Sequence, residues 1–363
     1  MKIDELDTPV LLVDEDMFDR NLKRMQKIAA DAGIAYRPHA KAHKSPEIAE
    51  IQIAHGAVGV CCAKLGEAEV MAAAGIGDIL ITTPVIGVSK LMRLMQIASE
   101  TRIAVVADNA DNIAEMARCA HTAGVRCGVV IEVDVGQHRC GVQPGEPALA
   151  LAQAIRNEDW LELRGLQGYQ GSIQMTVPYA ERKAAADAAL TLLTGSAEMI
   201  RAAGIPVPVL TGGGSGTSAI DAGAGGLTEL QPGGYLFMDA RYRAVEWEGG
   251  ETIPFEPSLS LLASVISRPA PDRAILDMGL KSVSSDGGPP VPVDLPGAGF
   301  RFAGEEHGEL TWESGTCPLD LGDKIRFWPT HCDTTVNLYD RFIVTSGEDV
   351  TGVWNIAARG RVQ

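Results

Sequence analysis

The strongest constraint on the fold is a repeat. From residue 34 to residue 237 a short apolar run, a stretch with apolar residues at helical spacing and a Gly or turn signal follow one another repeatedly. Strands are expected at 34–41, 58–63, 78–83, 102–107, 127–135, 163–171, 207–211 and 229–237. Helical patterns at 46–55, 65–74, 89–99, 109–123, 147–156 and 179–203 lie between most of them, and the Gly-rich segment before the last strand has room for a short helix at best. The strand segments are continuous apolar runs, as in Val129-Val130-Ile131. Such strands are buried on both faces, as in a parallel sheet covered by helices. Eight βα units over roughly 200 residues fit a TIM-like (β/α)8 barrel. A doubly wound open sheet is the competitor, and it lacks the Gly-rich first βα turn it would need.

Beyond Arg241 the helical periodicity stops. Short strands at 259–266, 274–278, 308–312, 324–327 and 342–345 alternate with Gly/Pro turns, the pattern of an all-β domain. An apolar strand at 9–13 precedes the barrel count and is free to pair with that domain; Asp14 then caps a helix running to Gly33. The expected organisation is an α/β chain with an N-terminal barrel over 14–243 and a β-strand domain made of 1–13 plus 244–363.

The chain of 363 residues carries a formal net charge of -16, which disfavours nucleic acid and anionic membranes as partners. Its seven cysteines are odd in number and show no C-x-x-C spacing. No basic region followed by an apolar run opens the sequence, and no stretch approaches the roughly 20 apolar residues of a spanning helix. A reduced, soluble, cytoplasmic protein is expected.

Function in a barrel sits at the C-terminal ends of its strands. Strand 1 ends in Arg37-Pro38-His39-Ala40-Lys41-Ala42-His43-Lys44. A lysine there can form an ion pair, contact a phosphate or act as a Schiff-base amine, and the positive charge crowded by His39, His43 and Lys44 favours its neutral, nucleophilic form. Lys44 has the same local surroundings as Lys41. Strand 5 ends in Glu132-Val133-Asp134 and runs on to Arg139, whose guanidinium suits a phenolic oxygen or a carboxylate, although a structural ion-pair cluster explains the pattern equally. Tyr169 lies between Gly168 and Gly171, which lets it approach a ligand closely or simply pack in the rim. Strand 7 ends in Thr211-Gly212-Gly213-Gly214-Ser215-Gly216-Thr217, where backbone N–H groups can converge on an anion, and strand 8 adds Gln231-Pro232-Gly233-Gly234-Tyr235. The G-K-[ST] element of a nucleotide P-loop is missing. Near the end of the chain, His331 and Asp333 sit at i, i+2 and would share one face of an extended strand, a pairing that suits a divalent metal; Cys332 would point the other way. His307 could support that site or be a turn residue.

Taken jointly, R-P-H-A-K-A-H-K, E-V-D-V-G-Q-H-R-C-G, G-L-Q-G-Y-Q-G, T-G-G-G-S-G-T, L-Q-P-G-G-Y and P-T-H-C-D-T-T-V-N resemble the D-threonine aldolase and D-serine dehydratase family, a branch of the alanine-racemase-like, fold-type III pyridoxal phosphate enzymes. The resemblance covers nearly the whole chain. It implies pyridoxal 5'-phosphate held by Lys41 as the Schiff-base lysine, which separates it from Lys44. It implies Arg139 near the cofactor's phenolic oxygen, Tyr169 in the pocket, Gly214, Ser215 and Gly216 with Tyr235 at the phosphate, and a divalent cation (Mn, Mg, Co or Zn) on His331 and Asp333. It also implies a homodimer. The dehydratases of the family resemble H-x-C where this chain has Asp333, which favours an aldolase cleaving D-3-hydroxy amino acids to glycine and an aldehyde. A D-serine or D-3-hydroxyaspartate dehydratase is the alternative, with a racemase or a non-catalytic cofactor-binding module behind it.

Overall fold

The computed structural model describes residues 1–313 and 315–363. The chain divides into two compact units: one of Met1–Lys23, Ala42–Glu47 and Gly234–Arg359, the other of Arg24–Lys41, Ile48–Gly233 and Gly360–Gln363. In chain order the first elements are β1 (Val10–Asp14), α1 (Glu15–Asp31), β2 (Ala35–Tyr36), α2 (Pro46–Ala54), β3 (Val60–Cys62), α3 (Leu65–Ala73), β4 (Asp78–Ile81), α4 (Val88–Ala98), β5 (Arg102–Ala107) and α5 (Ala110–Ala123). They continue with β6 (Cys127–Glu132), α6 (Glu146–Arg156), β7 (Leu161–Gly168), α7 (Tyr179–Ala202), β8 (Val209–Gly212), α8 (Ser218–Ala224) and β9 (Glu229–Leu230).

Among the described residues, β2 to β9 form one eight-stranded parallel sheet in the order β2-β9-β8-β7-β6-β5-β4-β3. Its two edges meet where His39 bridges Cys61 in parallel, the Cys61 N–H donating to the Pro38 carbonyl at 2.8 Å. The sheet is therefore curled into the TIM-like barrel the βα repeat implies. Side chains of neighbouring strands fill its interior: Cys61, Leu80, Val106 and Val130 form one cluster. The helices begin where local chemistry allows. Asn109 caps α5 by accepting from the N–H groups of Asp111 and Asn112, and the Met17 N–H donates to the Asp14 carboxylate at the start of α1.

The first and last strands of the repeat, β2 and β9, are much shorter than the sequence suggests. Strand 1 pairs only over Ala35–Tyr36 and strand 8 only over Glu229–Leu230. Beyond them the backbone stays hydrogen-bonded, Arg37 N–H to Leu230 O and His39 N–H to Pro232 O, while turns replace the ladder. The buried Arg37 guanidinium braces this seam. It donates to Glu229 Oε1 at 3.0 Å and to Asp78 Oδ1 at 2.8 Å, and Thr211 Oγ1 donates to the same Glu229 oxygen. Gly59 is required beside it, since a Cβ there would lie 2.5 Å from Arg37 Nη1.

The other unit is mostly strand. Its remaining elements are β10 (Leu259–Ala270), β11 (Arg273–Leu276), β12 (Val291–Pro292), β13 (Ala298–Phe302), β14 (Gly308–Trp312), β15 (Lys324–Trp328), α9 (Cys332–Val336), β16 (Arg341–Ser346) and β17 (Asp349–Asn355). The main path runs β13-β14-β11-β10-β1-β16-β17, with β15 also on β10 and β12 on β15. β1 thus pairs with the β-strand unit, antiparallel to β10 and parallel to β16. The first part of α1 goes with it, because Phe18 packs on Phe237 and Trp354 and Asn21 Nδ2 donates to the carbonyls of Leu236 and Glu256. The sequence reading assigns that stretch, and the turn after Lys41, to the barrel. No helix among the described residues is long and apolar enough to cross a membrane.

Arg37→Leu leaves Glu229 buried with a charge that has lost its cation. We expect a loss of about 3–5 kcal/mol of stability, read as a lower urea midpoint.

Candidate active site

In a closed parallel barrel all strand C-termini share one rim, so residues far apart in sequence arrive together. Lys41 lies in the single turn Ala40–Ala42 that follows the seam. Its own N–H donates to His39 Nδ1 at 3.3 Å, which leaves His39 Nε2 to bond Thr82 Oγ1 at 3.0 Å. Accepting at Nδ1, His39 is a neutral imidazole here, and His43 likewise accepts the Ser45 N–H at Nδ1. The positive crowding anticipated from these two histidines is thus not what the hydrogen bonds show. Lys44 is distinguished from Lys41 by its surroundings: it is buried, adopts a left-handed backbone at φ 55 and gives its carbonyl to the Ala358 N–H, inside the β-strand unit.

After β6 and β7, Arg139 and Tyr169 meet, with the guanidinium carbon 5.8 Å from the ring centroid. Two contacts set this up. Asp134 Oδ1 accepts the N–H groups of Gly136 and His138, folding the 134–138 loop, and Gln137 Oε1 accepts those of Gly171 and Ser172. Gly171 is needed because a Cβ would sit 2.7 Å from the Tyr169 ring.

The loop after β8 is buried and tightly organised. The Gly216 N–H donates to Gln174 Oε1 at 3.0 Å and the Gly214 N–H to Thr217 Oγ1 at 3.3 Å. Thr217 bonds Asp221 at 2.5 Å, and Arg182 Nε donates to the Gly216 carbonyl at 2.9 Å. A Cβ at Gly216 would lie 1.9 Å from the Gln174 carbonyl, so this glycine is demanded by packing. Ser215 is buried in the same loop. Burial pushes the Asp221 carboxyl up to about 7, against the hydrogen bonds from Thr217 and Gly214. The helix that follows, α8, has only seven residues and adds little dipole. Gln174, Arg182 and Asp221 were not singled out by sequence: Gln174 and Arg182 lie 42 and 34 residues from the Gly216 they support, and nothing in the local pattern shows that Asp221, four residues after Thr217, turns back onto the loop.

The barrel end also contains a polar chain that sequence did not reveal. Glu132 accepts from Gln167 Nε2, and Gln167 Oε1 accepts from Gln231 Nε2 at 2.8 Å. Burial pushes the Glu132 carboxyl up to about 8, with Gln167 and the Arg139 charge offsetting only part of it.

In the β-strand unit, Tyr235 is fully buried with its ring 5.8 Å from that of Phe255. His331 and Asp333 do not lie on an extended strand as expected. His331 is extended at φ -149, but it caps α9, and Asp333 falls in the first helical turn. The helix forms because Thr335 Oγ1 donates back to the His331 carbonyl and the buried Asp239 carboxylate takes the Cys332 N–H. Burial first, then the neighbouring Asp333, raises Asp239 to about 6 against the pull of His331, so three side chains are clustered. Cys332 is buried, and burial drives its thiol well above the usual range, which removes it as a thiolate donor. His331 Nδ1 lies 2.5 Å from Asp286 Oδ2. His307 is exposed in the turn between β13 and β14, its carbonyl accepting the Ala303 N–H.

Two groups of donors are thus available. A lysine amine, an arginine–tyrosine pair and a buried glycine loop at one rim suit an aldehyde-bearing phosphorylated cofactor. Among the described residues no three His, Cys, Asp or Glu side chains are arranged to hold an ion. His331 and Asp333 would therefore supply two protein donors to an ion that keeps water or substrate oxygens, as hard divalent ions do.

Residues 13–241 match the family of the alanine racemase N-terminal domain, and residues 258–345 match a putative serine dehydratase domain. A D-threonine aldolase of Arthrobacter sp is 44% identical over 355 residues, covering 98% of this chain and 93% of that one. A 3-hydroxy-D-aspartate aldolase of Paracoccus denitrificans is 34% identical, again over 98% and 93%. The crystal structure of D-threonine aldolase from Filomicrobium marinum superposes with a TM-score of 0.97 at 40% identity, covering 100% of this chain and 98% of that one.

The raised Glu132 has a consequence for stability. Its folded pKa exceeds its unfolded one, so its contribution is complete below about pH 4.5 and is lost as pH rises toward about 8. Glu132→Gln should flatten that slope and, at pH 8.5, unfold at higher urea than the wild type by more than about 1 kcal/mol. At pH 5 the two proteins should lie closer together.

Proposed function

The chain belongs to the alanine-racemase-like family of D-threonine aldolases and D-serine dehydratases, pyridoxal-phosphate-dependent lyases, and we propose that its own reaction is the metal-assisted cleavage of D-3-hydroxy amino acids of the D-threonine type to glycine and an aldehyde. The observation that carries the choice is the donor set at the start of α9. An oxygen-bearing side chain, Asp333, stands two residues after His331, while the Cys332 side chain between them is buried.

Bound pyridoxal phosphate supplies an electron sink for the pair left on Cα when the Cα–Cβ bond breaks. A divalent ion supplies a Lewis acid that makes the β-hydroxyl easier to deprotonate. The remaining work falls to the chain. By resemblance to the family, Lys41 would anchor the cofactor through its amine and Arg139 would hydrogen-bond its phenolic oxygen, the guanidinium being held by its cation–ring contact with Tyr169. Gly214, Ser215, Gly216 and Tyr235 would hold the phosphate. Because the Gly214 and Gly216 N–H groups are already engaged by Thr217 and Gln174, the contribution of the loop would rest on shape and on the groups that remain. His331 and Asp333 would hold the ion. The β-hydroxyl proton departs, the Cβ–O bond becomes the aldehyde carbonyl, and Cα gains a proton to give glycine.

The proposal takes the protein as a homodimer, by resemblance to the family. It places the protein in the cytoplasm, where its seven free cysteines would stay reduced. A dehydratase is the second reading, favoured by the match of residues 258–345 to a putative serine dehydratase domain.

Incubation with D-threonine decides between them. Glycine plus acetaldehyde is expected; 2-oxobutanoate plus ammonia establishes the dehydratase. A chelator should abolish turnover and Mn2+ restore it, whereas chelator-resistant turnover contradicts the role of the ion. Lys41→Ala should remove the near-visible absorbance band of the bound cofactor, while Lys44→Ala should keep it. Purified protein that never takes up pyridoxal phosphate would defeat the whole reading.

A further inference from the structure

The turn at residues 284–288 is built against the segment that carries His331. Thr330 Oγ1 donates to the Gly288 carbonyl at 2.7 Å, the Ser284 N–H reaches Thr335 Oγ1 at 3.3 Å, and Thr334 Oγ1 donates to Asp286 Oδ1 at 2.9 Å. Gly287 lets the two pieces touch, since a Cβ there would lie 2.7 Å from the Thr330 carbonyl oxygen. Ser284 Oγ gives a second hydrogen bond to Asp286 Oδ1 at 2.7 Å. With Oδ1 occupied by two hydroxyls, Oδ2 is the oxygen left for His331, and it lies 2.5 Å from Nδ1. A carboxylate can only accept, so Nδ1 carries a proton, and in the neutral ring that a metal binds the lone pair is on Nε2.

Resting on the reading that His331 holds a divalent ion, we propose that Asp286 is the positioning residue of the ion site: it fixes the His331 tautomer and ring orientation so that Nε2 is the donor presented to the metal, and it increases that nitrogen's basicity. A carboxylate behind a metal-bound imidazole typically contributes 10–100-fold in affinity, and its charge acts through the ring without touching the ion. Asp286 is separated from His331 by 45 residues, and its side chain is 46% exposed against 28% for His331. Substitution there removes little packing, which makes the role separable from folding.

The test is a titration of metal-stripped full-length protein, loaded with pyridoxal phosphate, with Mn2+ followed by calorimetry. Wild type, Asp286→Ala and Asp286→Asn are compared, with cofactor absorbance and the thermal midpoint recorded for each. We expect Asp286→Ala to bind Mn2+ about 10–100-fold more weakly. Asp286→Asn should fall between it and wild type, because an amide oxygen still accepts from Nδ1–H but carries no charge. Cofactor absorbance should stay unchanged; the thermal midpoint of Asp286→Ala should fall by what its hydrogen bonds to Ser284, Thr334 and His331 contribute, so the affinities are compared at a temperature where every variant is folded. Wild-type affinity in both variants overturns the role of Asp286 while leaving the ion site standing. Should Asp286→Ala fail to fold, Asp286→Asn decides alone, and wild-type affinity there refutes the proposal. Absence of Mn2+ uptake by the wild type itself refutes the ion site, and this inference with it.

Discussion

A guanidinium buried in the barrel seam is the interaction on which the rest depends. Arg37, just past the edge strand β2, joins Glu229 of the neighbouring β9 to Asp78 of β4, across the place where the edges β2 and β3 meet with only a few backbone bonds. Burial alone would weaken its charge, yet Glu229 and Asp78 hold it firmly cationic. A buried ion pair with a missing partner is costly, so the seam either closes with all three side chains in place or not at all. Closure then sets the rim. His39 and Lys41 follow two and four residues after Arg37, and the backbone bonds from Arg37 to Leu230 and from His39 to Pro232 aim them. The same closure brings Arg139, Tyr169 and the glycine loop to that rim.

The donors fall into two chemically distinct sets. In the barrel unit they are nitrogen cations and buried amides, with neutral imidazole at His39 and carboxyls at Glu132 and Asp221 shifted toward their protonated forms by burial. That is a setting for an anionic, electron-withdrawing cofactor. In the β-strand unit, His331, Asp333 and Asp286 form an oxygen-rich corner, with Asp286 held down to about 2 by Ser284, His331 and Thr334 although burial opposes it. A permanently ionised carboxylate behind an imidazole suits a divalent cation. Each set separates charge in the way its expected occupant requires.

Much of this was legible in the sequence. The repeat of buried strands and amphipathic helices identifies the barrel, because a strand covered on both faces has no other use for unbroken apolar runs. The loss of helical period after Arg241 marks the second unit. Lys41, Arg139, Tyr169 and the loop at Gly214–Gly216 stood out as candidates from their position at strand ends, with Lys41 preferred to Lys44 only by the family resemblance, and the His331-Cys332-Asp333 segment stood out from its side-chain types. The misreadings are local. Strands 1 and 8 were drawn too long, because the apolar run continues while the ladder gives way to turns at Pro38 and Pro232, neither of which can donate. His331 is extended as expected, but the chain turns helical immediately after it and takes Asp333 with it, because Thr335 and Asp239 supply hydrogen bonds that cannot be weighed until they are adjacent. Gly214 and Gly216 were read as an open cradle, whereas their N–H groups are bound by Thr217 and Gln174.

By itself, the sequence determined the βα repeat, the two-part organisation and the residue types at each strand end. These follow from periodicity and from side-chain chemistry, which are local. The tertiary structure alone decided what supports those residues. Gln174 and Arg182 anchor the glycine loop from an intervening segment, burial pushes the Glu132 carboxyl upward although Gln167 donates to it, and Asp286 reaches His331 because Gly287 lets one turn lie against Thr330. Burial and hydrogen-bond partnership are properties of neighbours in space. A chain specifies them only through the complete fold, so they cannot be read one segment at a time.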